Sequence, residues 1–180
     1  MKRNEMRISA VVIASLLLAT SLAFAADLKK LEKQQLQVDR LGPIAVGMTA
    51  KEASAKSGIK LKETEPSDSG NEACYYVYPN GKYGDVGFMI EQERISRIDI
   101  TSRKIASVGG IRVGDTEAAV KKAFPGKVEV QAHPYLEEAG KYLVIKINPG
   151  YGFIFETEKG KVTSFRSGRF ESVQYIEGCN

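Results

Sequence analysis

The chain reads Ile44-Ala45-Val46-Gly47-Met48-Thr49 and, 67 positions later, Ile111-Arg112-Val113-Gly114-Asp115-Thr116. Both stretches follow the pattern Ile-x-Val-Gly-x-Thr, and each leads into a segment rich in Ala, Lys and Glu, at 50–57 and 117–124. Such segments favour helix, and the Gly or Pro-Gly that follows them is a typical helix end. The pattern therefore predicts two short helices that begin at equivalent points of an internal repeat.

The residues in front of both helices are suited to capping. Thr49 and Glu52 have the spacing of a capping box, in which each side chain accepts a hydrogen bond from the backbone of the other. In the second copy, either Asp115 or Thr116 could cap the free N–H groups. Helices of about two turns are unstable alone, so each one requires a sheet to pack on.

Three apolar segments follow each helix, and their alternation predicts strands. They cover 75–78, 86–90 and 95–100 in the first half, and 142–147, 152–155 and 162–165 in the second. The predicted fold is α+β, with two tandem repeats of a helix and a three-stranded antiparallel meander. Because one repeat has too small a core alone, both would share one continuous sheet with the helices on one face. The opposite face would be open to a partner.

The N-terminal segment predicts export. Lys2, Arg3 and Arg7 precede an uncharged apolar run that ends in Ala23-Phe24-Ala25. These features are typical of a signal peptide over residues 1–25 with cleavage before Ala26, and an uncleaved anchor is the alternative. We expect a periplasmic or secreted protein, with no stable membrane insertion after the signal is removed.

The remaining chain divides into three parts. Residues 26–40 have leucines at helical spacing and predict an N-terminal arm or short helix. Repeat 1 would cover 41–107 and repeat 2 would cover 108–180, both within one compact unit.

Composition excludes several classes of protein. The chain of 180 residues is 43% hydrophobic and 27% charged, with a formal charge of +4, which excludes disordered, collagenous and multi-span membrane proteins. Without residues 1–25 the charge falls to +2, so we predict no nucleic-acid partner. One histidine and two cysteines leave few ligands for zinc, and we predict neither a metal nor a cofactor.

Cys74 and Cys179 are the two cysteines of the chain. In an oxidising compartment, an isolated pair most simply forms one disulfide, which would tie the C-terminus to the middle of the chain. A reactive thiol is the alternative, but no neighbouring histidine or Cys-x-x-Cys pattern supports activation.

Catalytic motifs are absent from the sequence, so we predict that the protein is not an enzyme. There is no nucleophile elbow, P-loop or dinucleotide-binding glycine pattern. His133 is the single histidine, and its position before Pro134 predicts a surface loop residue. The alternative function is a periplasmic small-ligand carrier or a cell-wall-active enzyme that uses His133.

Tyrosines are the best candidates for binding a partner, because they combine apolar area with a hydrogen-bonding tip. Tyr76 and Tyr78 would point to one face of a strand and Tyr75 to the other. The candidate partner-binding residues are Tyr76, Tyr78, Tyr83, Tyr135 and Tyr142. Half-buried tyrosines are also ordinary strand residues, which is the structural alternative for each of them.

The chain resembles the SmpA/OmlA and beta-lactamase-inhibitor-protein superfamily over about residues 41–180. The resemblance lies in the stretch Val46-Gly47-Met48-Thr49, in its weaker repeat Val113-Gly114-Asp115-Thr116 and in the strands that follow each. The resemblance implies tandem helix-plus-sheet units and a protein-binding role of inhibitor, immunity or envelope-assembly type. Each half of the inhibitor carries its own disulfide, whereas this chain has one cysteine per half. No inhibitory residues carry over. We expect a monomer or weak dimer that binds another protein or a cell-envelope macromolecule.

Overall fold

The computed structural model describes residues 28–63, 73–147 and 150–179. The predicted signal peptide, residues 1–25, lies outside the described residues. The helices in this part of the chain are α1 (residues 28–32), α2 (Ala50–Ser57), α3 (Glu117–Ala123) and α4 (Phe170–Val173). The strands are β1 (Gln35–Leu36), β2 (Arg40–Leu41), β3 (Ile44–Ala45), β4 (Leu61–Glu63), β5 (Cys74–Pro79), β6 (Val86–Glu91), β7 (Arg94–Ile100), β8 (Ala106–Ser107), β9 (Val128–His133), β10 (Glu137–Ile147), β11 (Tyr151–Glu158) and β12 (Lys161–Arg169).

The fold is α+β and is dominated by an eight-stranded antiparallel sheet in the order β4-β5-β6-β7-β12-β11-β10-β9. The last strands of the two halves, β7 and β12, pair at its centre, where Phe165 lies opposite Ile100 and Ser167 opposite Ile98. The six predicted strands are confirmed as β5, β6, β7, β10, β11 and β12. The sheet is therefore continuous across both halves of the chain.

Two edge strands of this sheet were not predicted, so four strands of the large sheet follow each helix instead of three. β4 is only three residues long, and Leu61 is its buried residue. β9 is exposed along much of its length, so it lacks a clear apolar alternation. Edge strands need only one partner strand and little burial, which explains why the hydrophobic pattern missed them.

The predicted helices and caps are confirmed. Thr49 and Glu52 form a capping box at α2, and Gly58 ends the helix in the left-handed conformation. At α3 the cap is Thr116, whose side chain accepts a hydrogen bond from the Ala119 N–H.

The Gly-x-Thr stretches make equivalent backbone hydrogen bonds in the two halves. In the first half, the Gly47 N–H donates to the Ile95 carbonyl and the Ile95 N–H donates to the Met48 carbonyl, at 2.7 and 2.8 Å. In the second half, the Gly114 N–H donates to the Val162 carbonyl and the Val162 N–H donates to the Asp115 carbonyl, also at 2.7 and 2.8 Å. Each stretch is thereby fixed to the start of the last strand of its own half.

The N-terminal residues are part of the core. Leu31 of α1 and Leu36 of β1 are buried in the main hydrophobic cluster. β1 belongs to a second, four-stranded sheet in the order β3-β2-β1-β8, and the Ser167 hydroxyl donates to the Gln37 carbonyl at 2.9 Å. The segment predicted as an arm or short helix therefore contains both a helix and short strands that pack on the rest of the molecule.

The main core lies on one face of the large sheet. Phe88 of β6 and Phe155 of β11 are fully buried there, in one cluster with Ala53 of α2 and Val120 of α3. Because side chains alternate along a strand, the residues between these core positions face the other side.

That other face is covered in part by residues 170–179, which we call the C-terminal segment. Val173 of α4 is buried in a second apolar cluster with Tyr142, Val144 and Ile154. The predicted disulfide between Cys74 and Cys179 is confirmed and fixes the end of this segment to β5. The second face is therefore open only in part, because the chain after β12 folds back across it.

No helix among the described residues is long and apolar enough to cross a bilayer.

The central β7–β12 pairing depends on Gly168. Its φ is +148°, and a Cβ atom there would lie 2.2 Å from the Ser96 carbonyl oxygen. We expect Gly168→Ala to lower the free energy of unfolding by about 3 kcal/mol, measured by urea unfolding.

Gly160→Ala is the matched control for this substitution. Gly160 also has a positive φ, +77°, but nothing lies within 4 Å of the point that a Cβ atom would occupy, so only the backbone cost of about 1 kcal/mol applies. Equal losses in the two variants would contradict the close approach of β7 and β12.

Candidate functional site

A cleft of about 330 Å³ lies on the sheet face opposite α2 and α3, against the C-terminal segment. We call it the sheet-face cleft. Its lining includes three tyrosines, four charged residues of the sheet and part of the C-terminal segment: Tyr76, Tyr78, Tyr83, Arg97, Asp99, Glu156, Arg166, Ile176, Glu177 and Gly178. The strands β5, β6, β7, β11 and β12 supply its floor.

Arg97 of β7 is 4% exposed, and every nitrogen of its guanidinium donates a hydrogen bond. Nε donates to Asp99 Oδ2 at 3.0 Å, and Nη2 donates to the Tyr76 hydroxyl. Nη1 donates to the backbone carbonyls of Ser172 and Tyr175, at 3.0 and 2.8 Å. Because a buried cation is tolerated only when it is paired and hydrogen-bonded, Arg97 fixes the C-terminal segment to the sheet.

The charge of Arg97 is maintained by its partners. Burial by itself would lower the pKa of the guanidinium, but the negative charge of Asp99 and the hydrogen bonds of Asp99 and Tyr76 outweigh burial and raise the pKa. The guanidinium is therefore a permanent cation beneath the cleft.

Arg166 of β12 is the second buried guanidinium, with 5% of its surface exposed. Nε donates to the Val173 carbonyl at 2.7 Å, and Nη1 lies 3.5 Å from Glu156 Oε2. The Arg166 Cζ lies 5.1 Å from the centre of the Tyr142 ring. Nη2 is buried and has no hydrogen-bond partner within the described part of the chain. Such a buried, unpaired donor costs about 1–3 kcal/mol.

Glu156 of β11 connects Arg166 with His133. His133 Nε2 lies 3.0 Å from Glu156 Oε1, and His133 Nδ1 accepts a hydrogen bond from the Tyr135 N–H at 3.1 Å. Because Nδ1 is an acceptor, the neutral ring carries its proton on Nε2 and donates it to Glu156.

The prediction that His133 is a surface residue was wrong. It is 6% exposed, because it ends β9 and its ring packs edge-on against Tyr142 with centroids 4.8 Å apart. Both ring nitrogens are engaged, so His133 positions Glu156. No group of three His, Cys, Asp or Glu side chains within the described ranges is arranged to hold a metal ion.

The tyrosines form one wall of the cleft. Tyr76 and Tyr78 share a face, as predicted, and their rings stack with centroids 5.8 Å apart. Tyr83 lies 5.3 Å from Tyr78, ring centre to ring centre, and is 76% exposed. Tyr78 itself is 7% exposed, so the ring contacts run from the buried network at Arg97 to a single exposed ring, that of Tyr83.

The other two predicted binding tyrosines lie outside this wall. Tyr142 is buried, and its ring packs against the side chains of Arg166 and His133. It therefore supports those side chains and does not line the cleft. Tyr135 is exposed, and its hydroxyl donates to Glu177 in the C-terminal segment. The structure thus brings Tyr76, Tyr78 and Tyr83 together and separates the remaining two from them.

The charged residues of the cleft were not predicted. Arg97 and Asp99 alternate with Ser96, Ile98 and Ile100 along β7. Polar side chains at every second position of an otherwise apolar strand indicate a second, polar face. That pattern could have identified Arg97 and Asp99, but the position of Asp99 opposite Arg166 depends on the β7–β12 register.

No protein-family model matches the chain, and no curated protein matches it. Among solved structures, the chain is similar to the uncharacterized protein YfeY from Escherichia coli, with 14% identity and a TM-score of 0.51, over 75% of this chain and 99% of that chain. It is also similar to an extracellular protein containing an SCP domain from Bacillus anthracis str. Ames, with 11% identity and a TM-score of 0.48, over 74% of this chain and 46% of that chain. The likeness to YfeY shows a shared fold.

The Arg97–Asp99 ion pair should contribute to stability because it is buried. We expect Asp99→Asn to lower the free energy of unfolding by about 3 kcal/mol, since the buried guanidinium would lose its counter-charge. Urea unfolding measures the change.

Asp39→Asn is the matched control. Asp39 also lies 3.0 Å from an arginine, Arg40, but that pair is exposed, and its loss costs about 0–1 kcal/mol. The same small loss in both variants would show that Arg97 does not depend on Asp99.

The cleft tyrosines should make stability depend on alkaline pH. Burial, followed by the nearby Tyr83 and Asp99, raises the pKa of Tyr78 to about 12, and burial also raises the pKa of Tyr76. A tyrosine with a higher pKa in the folded than in the unfolded state stabilises the fold fully below about pH 10. This contribution is lost as the pH rises from about 10 to about 12.

We therefore expect the free energy of unfolding to fall across this window and Tyr78→Phe to reduce the fall. Ultraviolet absorbance of tyrosinate should show one fewer tyrosine that ionises above about pH 10 in that variant. If the absorbance change above about pH 10 is identical in both proteins, the assignment to Tyr78 is contradicted.

Proposed function

We propose that this protein is an exported binding protein that recognises another protein or a cell-envelope macromolecule with the sheet-face cleft. The observation that carries the proposal is a cleft that holds charged side chains of the sheet and is bordered by the ring of Tyr83, which is 76% exposed. Tyrosine and arginine are enriched among the residues that dominate binding energy.

The shape of the cleft indicates what part of a partner would enter it. Its volume of about 330 Å³ is at the lower end of the range for ligand clefts, about 300–1,000 Å³. A flat protein surface could not reach the buried floor. The partner would therefore present a protruding segment.

Two observations support export. The Cys74–Cys179 disulfide is of the kind that persists in oxidising compartments. The basic start and apolar run of residues 1–25, with cleavage before Ala26, are typical of a signal peptide. The protein would act in the periplasm or outside the cell, as a monomer or weak dimer.

We also propose that the two halves are tandem repeats. The paired hydrogen bonds of Gly47 and Met48 with Ile95 recur 67 positions later, at Gly114 and Asp115 with Val162. The strand order of the large sheet is mirrored about its centre. Both observations agree with the resemblance to the SmpA/OmlA and beta-lactamase-inhibitor-protein superfamily, and so with an inhibitor, immunity or envelope-assembly role.

The second candidate function is a periplasmic small-ligand carrier, and the concave shape of the cleft favours it. A cell-wall-active enzyme is the remaining alternative. In such an enzyme, Glu156 would face the substrate because it lines the cleft, and His133 would hold it in position.

Affinity capture from an envelope extract tests the binding role. We expect Tyr83→Ala to reduce recovery of the partner about tenfold, because an exposed aromatic contact is lost. Tyr83 makes no contribution to the main core, so the variant should fold normally.

Tyr151→Ala is the control for this experiment. Tyr151 is a tyrosine of β11 outside the lining of the cleft, and its replacement should leave recovery unchanged. Equal recovery of every captured molecule by all three proteins would exclude the tyrosine wall as the binding surface.

A further inference from the structure

Exposed apolar side chains gather around the sheet-face cleft. Four of the six large apolar side chains that are exposed within the described ranges lie there: Tyr83, Tyr135, Tyr175 and Ile176. Tyr83 and Ile176 line the cleft, Tyr175 directly precedes Ile176, and the Tyr135 hydroxyl donates to Glu177, which also lines it. Clustered exposed apolar groups are typical of interaction sites, whereas scattered ones are not. We call these four side chains the apolar rim.

The accessible charges of the cleft are negative. The side chains of Arg97 and Arg166 are only 4% and 6% exposed, whereas those of Asp99 and Glu156 are 25% and 27% exposed. Glu177 is exposed as well. With two arginines against three carboxylates, the lining has a net charge of −1. A cation is therefore attracted to this surface and an anion is repelled.

The two arginines are directed at the C-terminal segment. Arg97 donates to the carbonyls of Ser172 and Tyr175, and Arg166 donates to that of Val173. A ligand that enters the cleft from solvent thus meets the carboxylates before it reaches a guanidinium. This order disfavours nucleic acids, anionic lipids and acidic peptides as occupants.

Two of the carboxylates have an oxygen left for a partner. Within the part of the chain that the structure describes, Tyr76 and Arg97 both donate to Oδ2 of Asp99, at 3.2 and 3.0 Å, and Glu177 accepts at Oε1. A Cβ atom at Gly178 would lie 3.1 Å from the Tyr76 hydroxyl. The segment that carries Glu177 therefore crosses the sheet beside Asp99.

An arginine side chain with apolar neighbours matches this arrangement. A guanidinium is planar, donates to carboxylates from several N–H groups, and packs on the face of an aromatic ring. The exposed ring of Tyr83 borders the same cleft as Asp99 and Glu177. The apolar rim would contact the residues on either side of the arginine. A free polyamine could satisfy the carboxylates but would leave the apolar rim uncovered.

We propose that the sheet-face cleft and its apolar rim bind a protruding segment of a partner protein, which inserts an arginine beside Asp99 and Glu177 and places apolar neighbours against Tyr83 and Ile176. This inference rests on the binding role proposed above and names the chemistry of the partner.

Selection of short cyclic peptides displayed on phage tests the inference, with the purified protein as bait. We expect the enriched peptides to carry an arginine flanked by apolar residues. Enrichment should be lost when Glu177→Gln is the bait, because the negative charge is removed while the glutamine oxygen can still accept from Tyr135. Enrichment of acidic peptides, of peptides without a basic residue, or of none would overturn the inference.

Calorimetric titration of the most enriched peptide then measures each contact. Replacement of its arginine by citrulline, which has nearly the same shape but no charge, should weaken binding at least about tenfold. Glu177→Gln and Tyr83→Ala should each weaken it about tenfold, with folding checked by circular dichroism. If one of these variants fails to fold, the other variant and the citrulline peptide decide.

Glu129→Gln is the matched control. It removes the same charge from an exposed residue of β9, which lies opposite Val144 on the same sheet face but outside the lining of the cleft. The peptide should bind this variant with unchanged affinity. Equal affinities for Glu129→Gln and a folded Glu177→Gln protein would contradict the contact to Glu177. Spermidine that binds as tightly as the peptide would indicate a polyamine site and overturn the inference.

The envelope capture experiment separates this inference from the binding role. If basic peptides do not bind but a molecule is still captured in a Tyr83-dependent manner, the binding role stands and the arginine inference is wrong. The absence of both peptide binding and Tyr83-dependent capture would overturn both proposals.

Discussion

The pairing of β7 with β12 is the constraint on which the rest of the molecule depends. It joins the two halves of the chain into one sheet, and its register places Arg166 opposite Asp99 and Gly168 opposite Arg97. Two guanidinium groups and a carboxylate are thereby brought to the same face. The pairing requires Gly168, because a side chain at that position would collide with the backbone of β7.

The buried charges of this face connect stability with the candidate site. Arg97 and Arg166 donate to the carbonyls of Ser172, Val173 and Tyr175, and hydrogen bonds from a charged donor are about twice as strong as neutral ones. The C-terminal segment is therefore held at one end by the two arginines and at the other by the disulfide at Cys179. The same contacts build the wall of the cleft, so changes to this network should alter binding and stability together.

Local patterns in the sequence predicted much of the fold. The capping residues Thr49 and Thr116 could be recognised because a cap acts within three residues of its partner. The central strands were recognised because their side chains alternate between core and surface. The edge strands β4 and β9 were missed, since an exposed strand does not need that alternation.

The sequence alone determined the α+β class, the two helices with the capping box of the first, the six inner strands and the pairing of the single pair of cysteines. These features follow from short-range periodicity, local hydrogen bonding and the chemistry of an isolated thiol pair. Only the tertiary structure decided that the second sheet face is partly covered, that His133 is buried against Glu156, and that Arg97 and Arg166 line one cleft with three tyrosines. The reason is physical: these residues are separated by tens of positions, and their proximity arises from strand register and chain reversal, which no local pattern encodes.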